Sequence, residues 1–172
     1  MNQRITNLRT KMKAQDLKAV LINNLKNVYY LTGFWGSNGT VLVTEERVVL
    51  FTDSRYTIHA HATCFPFVEI VETRNELEEA AKIVKDAAIH ELGFEDEITV
   101  AYQTRLATAF SGVSLRALSD FVMEFRLIKD ETEVATIRKA CSISDQAFLD
   151  VLEFIKVGQT TELEAATFLD FR

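Results

Sequence analysis

The sequence predicts an α/β protein in which a mixed β-sheet is flanked by helices. Two β-rich runs are separated by only Glu45 and Glu46, which is typical of a hairpin. Later apolar runs alternate with segments of helical periodicity, which is typical of helical crossovers between strands. Because the chain combines both kinds of connection, we expect a mixed sheet covered by helices.

The first half of the chain supplies most of the predicted strands. Ile5, Leu8 and Met12 recur at helical spacing, so an amphipathic helix is predicted for the first dozen residues. Strands are predicted for "AVLIN" (19–23), "TVLVT" (40–44), "RVVLFT" (47–52) and "FVEIVE" (67–72), with a short helix in "DSRYTIHAHATC" (53–64).

The second half alternates helices and strands. One face of a predicted helix, "NELEEAAKIVKDAA" (75–88), carries Leu77, Ala81, Val84 and Ala88, and the segment is rich in strong helix formers. A strand, a helix and a last strand are then predicted for "HELGFED" (90–96), "TVAYQTRLATAF" (99–110) and "FVMEFRLIK" (121–129).

The pattern changes at Lys129, so we expect one domain over residues 1–128 and the start of another over 129–172. Asp130 and Glu133 form a reciprocal capping pair. They open a helix of about 27 residues, well above the typical ~11–12. Its apolar stripe consists of Val134, Ile137, Cys141, Phe148, Val151 and Ile155, and Gly158 is its expected stop. Thr161 and Glu164 predict a further helix, still running at Arg172, so we expect a truncated domain.

Composition excludes several classes of partner. The net charge is −6 and the basic residues are scattered among acids, so nucleic acid is not an expected partner. The apolar runs fall far short of the ~20 residues that a membrane span requires, and no leader pattern is present. Cys64 and Cys141 are expected to be reduced thiols. We therefore expect a cytoplasmic protein without a membrane partner.

The stretch "YLTGFWGSNGT" (30–40) places Gly33, Gly36 and Gly39 around Trp35, the only tryptophan. A phosphate cradle requires a helix N-terminus after the glycines, but the following segment is strand-like. We therefore predict a tight turn in which the glycines allow positive φ angles. Trp35 either packs into the core or is exposed as a contact surface.

A second stretch, "LFTDSRYTIHA" (50–60), joins a predicted strand to a predicted helix. Asp53 follows the strand and is expected to cap the helix, with Arg55 and Tyr56 in the first helical turn. Two interpretations stay open. Either Asp53 and Arg55 hold the corner through hydrogen bonds, or they line a surface that contacts another subunit.

No catalytic or metal-binding residue is predicted in these 172 residues. On a helix, His59 and His61 would point in opposite directions, and neither they nor His90 belong to a zinc-binding motif. The sequence has no Gly-x-Ser-x-Gly elbow, and its cysteines lack the local signature of a nucleophile.

Three stretches in order resemble the N-terminal domain, of creatinase/prolidase type, of the Xaa-Pro peptidases, closest to aminopeptidase P. They are "YLTGFWGSNGT", "LFTDSRYTIHA" and "FRLIKDETEVATIRKACSISDQAF" (125–148). The third is similar to the family's junction, in which a strand ending in Arg-x-Ile-Lys leads into the catalytic domain. Together the stretches span nearly the whole chain.

The resemblance implies a two-domain metallopeptidase. Its catalytic domain, of "pita-bread" fold, would hold two divalent metals, manganese or cobalt, through two Asp, one His and two Glu. Those metals activate water against the peptide bond that precedes proline. By this resemblance the ligands would follow the present chain, which contributes no catalytic residue itself.

The resemblance also implies two roles for the N-terminal domain. It helps to form a homo-oligomer, and it narrows access to the active site so that only short proline-containing peptides enter. Phe34, Trp35, Arg55 and Tyr56 are the candidates for such a surface. Two alternatives remain. The domain plan also occurs in metal-free peptide- or protein-binding modules and in creatinase-type amidinohydrolases.

Overall fold

A computed structural model of the chain describes residues 2–155 and 158, and the chain divides into two units between Leu127 and Ile128. In chain order, the elements of the first unit are α1 (Gln3–Ala14), β1 (Ala19–Ile22), α2 (Leu25–Thr32), β2 (Thr40–Thr44), β3 (Val48–Thr52), α3 (Thr57–Thr63), β4 (Glu69–Glu72), α4 (Glu76–Asp86), β5 (Glu91–Glu95), α5 (Val100–Ala109), β6 (Ser114–Leu118) and α6 (Met123–Leu127). The second unit contains α7 (Glu131–Phe154).

The six strands form one sheet in the order β4-β3-β2-β1-β5-β6. Strand β2 pairs antiparallel with both β1 and β3. A short turn joins β2 to β3, whereas the connection from β1 to β2 contains helix α2. The other three pairs are parallel, namely β3 with β4, β1 with β5 and β5 with β6. The predicted mixed sheet is therefore confirmed.

Both faces of the sheet are covered by helices. Along β1, Val20 and Ile22 pack with apolar residues of α1, α2 and α3, whereas Ala19 and Leu21 pack with those of α4 and α5. This alternation follows from the two-residue period of a strand. Because both faces are covered, all four residues of β1 are buried. The first unit thus has three layers, with the sheet in the middle.

Helix α2 is absent from the predicted elements, although it positions the candidate site. The Asn24 side chain caps its first turn by accepting from the Lys26 amide, and Gly33 ends it in the left-handed conformation with φ 79°. Val28, Leu31 and Thr32 are fully buried, which is the i, i+3, i+4 spacing of one helix face.

The last predicted strand, residues 121–129, is wrong. Residues Met123–Leu127 form helix α6, and the sixth strand is Ser114–Leu118 instead. Phe121 and Val122 are buried and Phe125 is half-buried, a spacing that a helical turn brings to one side. The apolar residues of this stretch therefore follow a helical rather than an alternating pattern.

In the second unit, the predicted capping pair of α7 is confirmed. The Glu133 amide donates to Asp130 Oδ1 at 2.8 Å, and the Asp130 amide donates to Glu133 Oε2 at 2.9 Å. The helix ends at Phe154, before the expected stop at Gly158. The helix predicted from Thr161 and Glu164 lies outside the described residues. Within the described part of the chain, no helix is long and apolar enough to cross a membrane.

Candidate functional site

The candidate site is formed where two loops meet, and we call it the loop corner. It comprises residues 33–39, between α2 and β2, and residues 53–56, after β3. Asn38 joins the two loops. Its side-chain Nδ2 donates to Asp53 Oδ2 at 2.6 Å, and its carbonyl accepts from Thr52 Oγ1 at 2.7 Å.

Asp53 is the centre of the corner, and its side chain is only 11% exposed. Its Oδ1 accepts from the Arg55 amide at 3.0 Å and from Arg55 Nε at 2.9 Å, while Oδ2 accepts from Arg55 Nη2 at 2.8 Å. Hydrogen bonds from Arg55, and then from Asn38, hold the pKa of Asp53 well below its usual range. Asp53 is therefore a fully hydrogen-bonded carboxylate rather than a proton carrier near neutral pH.

The predicted helix start at Asp53 requires a correction. Asp53 accepts from the amide two residues on, as expected for a capping aspartate. However, helix α3 begins only at Thr57, with Tyr56 at the N-cap position. Arg55 and Tyr56 therefore lie in a turn before the helix, because the bidentate contact with Asp53 folds Arg55 back onto the strand end.

Tyr56 makes a second connection between the loops. Its hydroxyl and Ser37 Oγ share a hydrogen bond at 2.6 Å, which lowers the pKa of Tyr56. Its ring meets that of Phe34 edge to face, with centroids 5.8 Å apart. The guanidinium of Arg55 lies 5.4 Å from the centre of the Tyr56 ring. Tyr56 thus couples the charged part of the corner to the apolar core.

Phe34 does not line a surface, contrary to the expectation from the resemblance. It is 1% exposed and belongs to the core, where its ring occupies the space beside Gly36 and Gly39. A Cβ at Gly36 would lie 2.5 Å from the Phe34 ring, and one at Gly39 would lie 2.8 Å from it. Of the three glycines, only Gly33 has the positive φ that the sequence predicts for all of them. The other two are required for the close approach of the ring.

Trp35 is exposed, and so the contact-surface alternative fits its position better than core packing. Its side chain is 73% exposed and meets Tyr29, which is 50% exposed, edge to face with centroids 5.9 Å apart. The side chain of Arg55 is 69% exposed. Of the four predicted surface residues, Trp35 and Arg55 are therefore the exposed ones, and Tyr29 adds an exposed ring beside Trp35.

The described residues do not fit the metal pair that the resemblance implies. Within residues 2–155 and 158, no group of three or more His, Cys, Asp or Glu side chains could hold a metal ion. His59 and His61 both lie on α3. His59 is half-buried, and the centroid of its ring lies 6.2 Å from that of Phe34. We therefore assign no chemical step to a metal within this part of the chain.

Three residues in or beside the loop corner are missed by the sequence prediction. Ser37 and Asn38 are missed because their hydrogen bonds reach Tyr56 and Asp53 across the fold. Tyr29 is missed because it lies on helix α2, which the sequence analysis does not predict. Two local signals for that helix are present, namely the cap at Asn24 and the glycine at position 33.

The model of one protein family matches most of the chain. It describes the creatinase/prolidase N-terminal domain and aligns with residues 4–128. The chain belongs to this family. A curated relative, the uncharacterized peptidase YqhT of Bacillus subtilis (strain 168), is 31% identical over 170 residues, which is 98% of this chain and 48% of the relative. The chain thus spans about half the length of the curated relatives it matches.

Solved structures of Xaa-Pro peptidases resemble this creatinase/prolidase N-terminal domain. An Xaa-Pro aminopeptidase structure from Streptococcus pyogenes is 40% identical with a TM-score of 0.69, covering 71% of this chain and 94% of that one. The Xaa-Pro dipeptidase from Bacillus anthracis is 31% identical with a TM-score of 0.85, covering 98% of this chain and 47% of that one. The resemblance to the Xaa-Pro peptidases is therefore confirmed.

Proposed function

We propose that this chain is the non-catalytic N-terminal part of an Xaa-Pro metallopeptidase of aminopeptidase P or prolidase type, acting in the cytoplasm. One observation carries the proposal. The chain aligns over 98% of its length with an Xaa-Pro dipeptidase of known structure, of which it covers 47%. The other half of such an enzyme would supply the two manganese or cobalt ions and their ligands, and the water that attacks the bond before proline.

The loop corner would then serve recognition rather than chemistry. The carboxylate of Asp53 accepts hydrogen bonds from Arg55 and Asn38, so it is not available as a general base. Trp35 and Tyr29 instead offer exposed aromatic area, the residue type that is enriched in protein interfaces. We propose that Trp35 and Arg55, the exposed candidates of the loop corner, contact a neighbouring subunit of a homo-oligomer and narrow the entrance to the active site, so that only short peptides enter.

The activity is tested on the protein encoded by the whole gene. It should release the first residue from dipeptides or tripeptides with proline in second place, with manganese or cobalt present, and lose this activity with a chelator. A folded protein that binds such peptides without cleaving them would support the metal-free binding module instead. Hydrolysis of creatine in place of peptides would identify a creatinase-type amidinohydrolase.

The access role is tested with Trp35→Ala and, as a control, Val100→Ala, which removes a 79% exposed side chain from α5. We expect W35A to lower kcat/KM roughly 10-fold and to weaken the oligomer, as for an interface hot spot. V100A should leave both unchanged. Light scattering and steady-state kinetics measure the two effects, and equal behaviour of the two variants would refute the access role.

A further inference from the structure

A buried chain of polar side chains links strand β5 to helix α6. Glu95, the last residue of β5, is 6% exposed, and its Oε2 accepts from the amides of Asn23 at 2.8 Å and Asn24 at 2.7 Å. Its Oε1 accepts from Asn27 Nδ2. Asn27, which is 5% exposed, accepts in turn from Arg126 Nη1 at 2.9 Å through its Oδ1. The chain of contacts therefore runs from Glu95 through Asn27 to Arg126.

The charge of Glu95 determines the direction of these hydrogen bonds. An ionised carboxylate can only accept, so the Asn27 amide must turn its NH₂ group toward Glu95. Its carbonyl oxygen then faces Arg126, which can only donate. A neutral side chain at position 95 would instead carry a donor. Because the position of Oε2 accepts from the Asn23 and Asn24 amides, the new donor lies at the position of Oε1, facing Asn27. The Asn27 amide satisfies this donor by turning its oxygen toward it, which leaves two donors facing each other at Arg126.

We propose that Glu95, Asn27 and Arg126 form a charge-dependent relay that fixes helix α6, and that neutralising Glu95 reverses the Asn27 amide and releases Arg126. Helix α6 has only five residues and is the last element of the first unit. Its remaining polar contacts include the ion pair of Lys11 with Glu124 and the bond from the Tyr30 hydroxyl to the Phe125 carbonyl. Because these contacts remain, loss of the relay loosens α6 rather than unfolding it.

The surroundings of Glu95 determine when the relay switches. A cavity of about 250 Å³ lies beside it, lined by charged groups from several elements. These groups are Lys26 on α2, Asp96 and Glu97 after β5, Asp120 after β6, and Arg126 on α6, while Tyr102 on α5 also interacts electrostatically with Glu95. Burial raises the pKa of Glu95, and the neighbouring Glu97 raises it further, against the opposing hydrogen bonds. As the pH falls, Glu95 therefore becomes protonated at a higher pH than a glutamate with the ordinary pKa of 4.5.

The sign of the linkage separates this switch from general acid unfolding. The pKa of Glu95 is raised in the folded state, so the protonated form of Glu95 favours folding. This stabilisation is complete at a pH below the ordinary pKa of 4.5 and is lost as the pH rises through the pKa of the folded state. Protonating Glu95 therefore does not destabilise the whole domain. A loosening of α6 in the same pH range reports the relay instead.

The first test compares Glu95→Gln with Glu97→Gln in the 172-residue chain, since Glu97 is an exposed carboxylate beside the same cavity. With E95Q at pH 7, amide hydrogen exchange of residues 123–127 should become about 10-fold faster, as for the loss of one hydrogen bond to a charged group. E97Q should leave exchange unchanged. Equal exchange in E95Q and the unmodified chain would overturn the relay.

A double variant distinguishes the relay from a local structural effect of Glu95. Arg126→Met removes the end of the relay, so exchange in residues 123–127 should accelerate in this variant by itself. Adding E95Q to R126M should then give no further acceleration in α6. Additive effects of the two changes would overturn the proposal, because they would mean that Glu95 acts on α6 without Arg126.

An experiment on the unmodified chain covers the case in which E95Q does not fold. The side-chain amide resonances of Asn27 and the exchange of α6, corrected for intrinsic rates, are followed by NMR as the pH is lowered. Both should follow the titration of the Glu95 carboxyl, with one shared midpoint above 4.5. A Glu95 titration that leaves Asn27 and α6 unchanged would refute the relay.

Discussion

Strands β1, β2 and β3 are buried along their whole length, whereas helix α7 exposes more than half of Ile143, Phe148 and Leu149. Local structure is well formed in both regions, since α7 has a complete capping box. The difference lies in tertiary packing. Helices in proteins derive most of their stability from a packed apolar face, so the sheet and α7 should respond differently to the same substitution.

The largest expected effect comes from one substitution made in both regions. Phe51→Ala removes a fully buried ring from β3 and should lower the free energy of unfolding by about 3–5 kcal/mol. Phe148→Ala removes a ring that is 64% exposed and should cost no more than about 0.5 kcal/mol. Urea unfolding followed by circular dichroism measures both. Similar losses would mean that α7 is packed as tightly as the sheet.

A smaller effect is expected from Asp53→Asn, which removes a buried charge at the end of β3. The folded-state pKa of Asp53 is depressed, so its stabilising contribution is present above the ordinary value of 3.8 and is lost as the pH falls through the folded value. The stability advantage of the unmodified chain over D53N should be constant above about pH 5 and shrink below it.

Asp86→Asn is the matched control, because Asp86 is an exposed aspartate on α4. It should leave the unfolding free energy unchanged over the same pH range. An advantage over D53N that grows on acidification would contradict the assignment of Asp53 as an ionised, hydrogen-bonded carboxylate.

The smallest effect is expected at the start of α7. Asp130→Ala removes one half of the capping box and should cost about 1 kcal/mol of helix stability. Because this loss is local, helix content in residues 131–154 should fall while the unfolding midpoint of the sheet stays the same. Lys139→Ala, an exposed change within α7, is the control and should alter neither quantity. A shifted sheet midpoint in D130A would show that the two regions unfold together.

Much of the fold could be predicted because apolar periodicity is strong in its buried elements. The hairpin of β2 and β3 and the capping box of α7 each follow from residues adjacent in sequence. Strand β6, Ser114–Leu118, could not be predicted in this way. It lies at the sheet edge, where partial burial leaves only a weak alternation of apolar and polar residues.

The stretch 121–129 is predicted as a strand because Phe, Val and Ile favour strands. The helical spacing of its buried residues outweighs that preference, which is common where tertiary packing decides. In the loop corner, Asp53 and the glycines could be found from the sequence. The burial of Phe34 could not, because its ring fills space that Gly36 and Gly39 leave open within the fold.

The central claim is that peptidase activity requires polypeptide in addition to these 172 residues. The most direct measurement assays the purified 172-residue chain beside the protein encoded by the whole gene, on the same Xaa-Pro peptides with manganese or cobalt. We predict chelator-sensitive cleavage by the whole protein and none by the 172-residue chain. Cleavage by the 172-residue chain that survives repurification and is lost with a chelator would contradict the account.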